Sequence, residues 1–112
     1  MIVEEIVNEL GLQVIAPGDI GQEVTGGYAA DLLSCVMAKA KAGNVWVTLQ
    51  AHPNVIAVAS LLNLAAVIVS EGIKPDLETV EPAQENRVTL LGSPQTTSAV
   101  VGELSKLGVG GA

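Results

Sequence analysis

The stretch VWVTLQAHPNVIAVASLLN, residues 45–63, decides how this chain folds. It opens with an apolar, β-branched run, passes through a short polar loop holding one proline, and closes in an apolar segment of helical length. Parallel strands need a crossover between them, so a strand, loop and helix of this size is the unit of a parallel sheet. The pattern returns in AVIVSEGIKPDLETV, residues 66–80, and in VTLLGSPQTTSAVVGELSKLG, residues 88–108. The strands are expected to start near Val45, Val67 and Val88. The reading is an α/β domain with a mostly parallel sheet of 4–5 strands, built from short βα units and covered by helices.

Proline sharpens the units. At the first turn of a helix its missing N–H breaks no bond, which suits Pro53 and Pro94 and makes His52 and Ser93 the N-caps. Pro82 lies too deep in a helix that starts at Asp76, at a cost of about 3 kcal/mol, so that helix is expected to begin near Thr79 or to kink. The helix from Asn54 to Leu64 is apolar almost all round, through Val55, Ile56, Val58, Leu61, Leu62 and Leu64. Such a helix is buried on two sides, one against the sheet and the other against a second subunit.

Ahead of the repeats, Ile2, Ile6, Val7 and Leu10 recur at helical spacing and Gly11 ends the helix, giving a short amphipathic helix over residues 2–10. LQVIA, residues 12–16, reads as a strand. PGDIGQEVTGG, residues 17–27, is irregular, with a short extended piece near Gln22 to Val24. Tyr28, Leu32, Leu33, Val36, Met37 and Ala40 then form a helical stripe that Gly43 stops, with Thr25, Gly26 and Gly27 as the turn before it. One domain results: helix 1–11, core 12–107 and a flexible tail 108–112.

Composition narrows the function. The 112 residues carry 12 acids against 5 scattered bases, a formal charge of −7, which excludes ordinary binding to a phosphate backbone. No apolar run reaches the roughly 18–20 residues of a membrane helix, and the start carries Glu4, Glu5 and Glu9 in place of a basic leader, so a cytoplasmic protein is expected. One cysteine and one histidine leave no disulfide within the chain, no soft metal site and no expected cofactor. Cys35, beside the apolar stripe, is expected to be buried.

Loops leaving the carboxyl ends of parallel strands meet helix N-termini at one edge, where ligands bind. That edge collects Gln50, His52 and Asn54 from the first unit, Ser70, Glu71 and Gly72 from the second, and Gly92, Ser93 and Gln95 from the third. Thr25, Gly26 and Gly27 join them if their helix points the same way. Such a polar, nearly uncharged set can hold a small anionic or nucleotide-like ligand on backbone N–H groups and hydroxyls, or it can simply cap helices. Asp31 and Ser34, one helical turn apart, can face either the loops or solvent, with solvent the default. No phosphate-loop or dinucleotide fingerprint and no nucleophile with a placed base is visible.

The stretches VTGGYAADLLS (24–34), AGNVWVTLQAHPNVIAVASLLNLAAVIVSEG (42–72) and VTLLGSPQTTSAVVGELSKLG (88–108) resemble the DRTGG domain family. The likeness runs from about Leu12 to Leu107. It is strongest to small stand-alone members associated with bacterial iron-only hydrogenases, and more distant to the N-terminal domain of HPr kinase/phosphorylase. Thr25, Gly26 and Gly27 match the last three letters of the family label, whereas Glu23 and Val24 replace the first two. The resemblance implies a non-catalytic regulatory or ligand-sensing module in a hydrogenase or redox setting, with no catalytic residue to carry over. A homodimer and a partner protein are further expectations. The alternative is a structural or assembly factor that docks through its apolar helix and takes no ligand.

Overall fold

The computed structural model describes residues 1–110; Gly111 and Ala112, at the end of the expected tail, lie outside the described residues. Ten elements follow one another: α1 (Val3–Leu10), β1 (Gln13–Ala16), β2 (Gly26–Ala29), α2 (Leu33–Lys39), β3 (Asn44–Thr48), α3 (Pro53–Leu62), β4 (Ala66–Val69), α4 (Leu77–Glu85), β5 (Leu90–Gly92) and α5 (Thr97–Lys106). They build one five-stranded sheet in the order β1-β5-β4-β3-β2. The four strands β2 to β5 are parallel, and β1 closes the far edge antiparallel to β5.

Alternation along the strands sorts the core into two layers. Trp46, Val67, Val69 and Leu90 face α2, α3 and α4, where they pack with Val36, Val55, Ile56, Val58, Ala59 and Ala83. Val45, Val47, Ala66, Ile68 and Leu91 face the other way, against Val3 and Ile6 of α1 and Val100 and Leu104 of α5. Strands β3 and β4 are therefore buried along their whole length, which explains why they read as unbroken apolar runs. Trp46, fully buried, donates its indole N–H to the Ala30 carbonyl at 2.8 Å.

Several expected elements stand as read. α1 ends in Gly11 in the left-handed region (φ 62°). α3 begins with His52 as N-cap and Pro53 in the first turn, and Asn63 closes it at φ 56°. Four local expectations are corrected. Gly26 to Ala29 form strand β2, and α2 starts only at Leu33, because the backbone of residues 26–29 pairs in register with Asn44 to Val47. Ser93 caps no helix: α5 starts at Thr97 behind Thr96, whose side chain accepts from Ala99 N–H, and Pro94 stays in the loop. Helix α4 starts at Leu77, with Pro82 inside it and so without a donor for that turn. Cys35 is half-buried.

Between Ala16 and Gly26 the irregular stretch makes one isolated bridge, Ile2 to Glu23. In the segment expected to be a flexible tail, Val109 is buried, and the Gly110 carbonyl accepts from Gly27 N–H at 2.7 Å. Among the described residues no helix is long and apolar enough to cross a membrane.

Glycine positions separate geometry from composition. Neither Gly26 nor Gly27 has positive φ, and a Cβ on Gly27 would meet Val109 Cγ1 at an ordinary 3.5 Å. A Cβ on Gly18 would overlap the Arg87 carbonyl oxygen and sit 2.8 Å from Thr89 Oγ1. Gly18→Ala is therefore expected to cost about 1–3 kcal/mol by overpacking, and Gly27→Ala less than about 0.5 kcal/mol. Urea unfolding of both variants checks this; equal losses would contradict the placement of Gly27 in a strand.

Candidate functional site

The parallel strands end on one edge, and there the loops interlock. Asp31 follows β2 by two residues, and its Oδ1 accepts from Thr48 Oγ1 at 2.8 Å and from Leu49 N–H at 3.0 Å. Gln50 adds two bonds, from its backbone N–H to Thr48 Oγ1 (3.1 Å) and from Nε2 to the Asp31 carbonyl (3.3 Å). These contacts fix the loop after β2 against the loop after β3. Between the two loops lies a cleft of about 480 Å³ lined by Asp31, Leu32, Leu33, Ser34, Gln50, His52, Asn54 and Val55. His52 Nδ1 accepts from Asn54 N–H at 3.2 Å, which leaves Nε2 as the ring's outward donor.

The next two loops are strapped to each other. Buried Ser70 shares a 2.6 Å hydroxyl contact with Thr97 Oγ1 and donates to the Thr48 carbonyl at 3.4 Å. Glu71 and Gly72 both have positive φ, 65° and 70°, and their N–H groups reach the Gln95 and Ser93 carbonyls at 2.7 and 2.9 Å. Glu71 Oε2 accepts from Thr97 N–H at 2.8 Å, at the first turn of α5. Ser93 Oγ accepts from Gln95 N–H at 3.1 Å, and Ser93 with Gly92, Gly72 and Lys74 lines a smaller groove of about 230 Å³.

The expected site residues thus divide. Gln50, His52 and Asn54 share the larger cleft, Ser93 lies in the neighbouring groove, and Ser70 is buried between them. Thr25, Gly26 and Gly27 lie at the amino ends of the strands, across the sheet from the others, because β2 begins with Gly26 and Gly27 and Thr25 directly precedes it. Thr25 instead joins strand starts: its Oγ1 donates to the Ala42 carbonyl at 2.8 Å and accepts from Asn44 Nδ2 at 3.1 Å. Asp31, Leu32, Leu33 and Ser34 line the cleft. Asp31 and Ser34 are both exposed, in line with the solvent default, and both also face the loops. Reading GGYA as a strand is the signal that moves Asp31 to its carboxyl end.

The helix N-termini here use most of their donors internally. In α3, Pro53 has no N–H, Asn54 N–H goes to His52 Nδ1, and Val55 N–H goes to the His52 carbonyl at 2.9 Å. In α5, two of the first three N–H groups are taken by Glu71 and Thr96. What the larger cleft offers a ligand is side chains rather than a backbone anion cradle. Among the described residues no three His, Cys, Asp or Glu side chains gather as a metal site.

No protein-family model matches this sequence, and no curated protein matches it in sequence. In structure the chain is similar to the CBS and DRTGG domains of the regulatory region of Clostridium perfringens pyrophosphatase, solved in complex with its activator, diadenosine tetraphosphate. The TM-score is 0.70 at 16% identity, over 88% of this chain and 43% of that one. The fold is accordingly DRTGG-like. This chain spans less than half the length of that neighbour.

Glu71 allows strain to be weighed against capping. Glu71→Ala keeps positive φ and loses the carboxylate on α5, an expected cost of about 1–2 kcal/mol, whereas Glu71→Gly also relieves about 1 kcal/mol of backbone strain. Denaturant melts should rank the glycine variant above the alanine variant. An alanine variant as stable as the glycine variant would show that no strain is stored at this turn.

Proposed function

We propose that this domain is a non-catalytic regulatory module that senses a small anionic or nucleotide-like ligand, held in the cleft between the loops after β2 and β3. The observation that carries the reading is the cleft itself. It is concave, pre-shaped by the Asp31, Thr48 and Gln50 bonds, and placed at the carboxyl edge of a parallel sheet, where α/β folds bind ligands. The fold it shares with a regulatory region solved with a dinucleotide activator supports the same reading. Among the described residues Ser34, the one hydroxyl lining the cleft, makes no hydrogen bond to His52 or Asp31, whose bonds go to Asn54, Thr48 and Leu49, which favours sensing over catalysis. A hydrogenase or redox setting and a cytoplasmic location belong to the same proposal, on the likeness of residues 24–34, 42–72 and 88–108 to the DRTGG family alone.

A second reading has its own observation. Leu61 on α3 is 67% exposed and Met37 on α2 is 51% exposed, so apolar helix surface remains outside the core. A homodimer, or a partner protein in an assembly role, would cover it.

A thermal-shift screen of nucleosides, nucleotides and phosphorylated metabolites separates the two. Sensing predicts at least one compound that raises Tm of the wild type and has a much smaller effect on Asn54→Leu, whose side chain is exposed in the cleft. No shift from any compound, together with a dimer by light scattering that Leu61→Glu splits, would overturn sensing in favour of assembly.

A further inference from the structure

Resting on the ligand-sensing reading above, we infer that the cleft recognises an amino-bearing nucleobase, of adenine or cytosine type, and leaves any phosphates of the ligand in solvent. Charge decides the phosphate end. Among the lining residues Asp31 is the one acid and there is no Lys or Arg, in a chain of net charge −7, so a phosphate inside would face repulsion with no cation beside it. The donors that would cradle an anion at α3 are already spent on His52.

Shape and hydrogen bonding decide the base end. Leu32, 63% exposed, joins Leu33 and Val55 to give apolar wall for a flat ring. Asp31 Oδ1 is committed to Thr48 and Leu49, while among the described residues Oδ2 accepts nothing. A carboxylate oxygen held in place on a cleft wall is an acceptor for an exocyclic amine and repels the carbonyl oxygen of an oxo base. The Asn54 side-chain amide makes no bond among the described residues, and His52 Nε2 is a donor, so ring nitrogens have partners on the same cleft. The volume of about 480 Å³ holds a base with its sugar.

Calorimetric titration of the whole chain with adenosine, cytidine, inosine, uridine and inorganic phosphate tests this. Adenosine or cytidine should bind at least about tenfold tighter than its oxo counterpart, and phosphate should give no heat. Asp31→Asn keeps an oxygen for Thr48 and Leu49 and turns the free position into a donor. It should weaken the amino base about tenfold and strengthen the oxo base. If that variant unfolds, Asn54→Leu provides the check and should abolish nucleoside binding. Equal binding of amino and oxo bases, or binding of phosphate alone, overturns this inference and leaves ligand sensing standing. No binding by any nucleoside or by the compounds of the thermal screen removes both.

Discussion

A strand buried on both faces has nowhere to lose a polar group, and β3 is that strand. Its two polar residues stand at its two ends, Asn44 and Thr48, nearly without exposure. Each must find partners inside the protein, since an unpaired buried polar group costs about 1–3 kcal/mol. Asn44 bonds Thr25 Oγ1 and Lys41 N–H at the amino end. Thr48 bonds Asp31 and Gln50 at the carboxyl end. Thr25 and Asp31 bracket β2, so the two buried polar residues of β3 hold the short edge strand at both ends.

The rest of the architecture follows from that pairing. With β2, β3, β4 and β5 adjacent in order, α2, α3 and α4 fall on one face, and the other must be covered by what remains, α1 and α5. Gly43 shows how tight the amino end is: it has φ 82°, and a Cβ there would sit 2.7 Å from Thr25 Cγ2. At the opposite end the same clamp has room to open into a cleft, because Asp31 reaches across to β3 before α2 begins. One carboxylate oxygen, accepting two bonds, thus positions both the strand and the cleft.

Residues 45–63 and their two repeats made the parallel sheet legible, since burial on both faces writes itself as continuous Val, Ile, Leu and Ala. His52 and Pro53 were legible for a similar reason: fixed φ at the first turn and an acceptor before it are local requirements. The segment GGYA was not. An edge strand of small residues has no periodicity of its own, and its extended form comes from pairing with β3 eighteen residues on in register, Gly26 with Asn44. That misreading grouped Thr25, Gly26 and Gly27 with loops at the other end of the sheet and gave no sign that the exposed Asp31 accepts from Thr48 and Leu49. The start of α5 was hidden in the same way, because Ser93 and Pro94 offer a good local cap while Glu71 and Thr96 define the real one through a contact between loops.

Under the proposed function the two ends of β2 have different duties, structural at Thr25 to Gly27 and recognition at Asp31 to Ser34. Amide chemical shifts recorded while adenosine is titrated into labelled protein test it most directly. Shifts are expected to be concentrated in residues 31–34 and 50–55, with Thr25, Gly26 and Gly27 unmoved. Shifts centred on Thr25, Gly26 and Gly27 with the Asp31 cleft silent would contradict it.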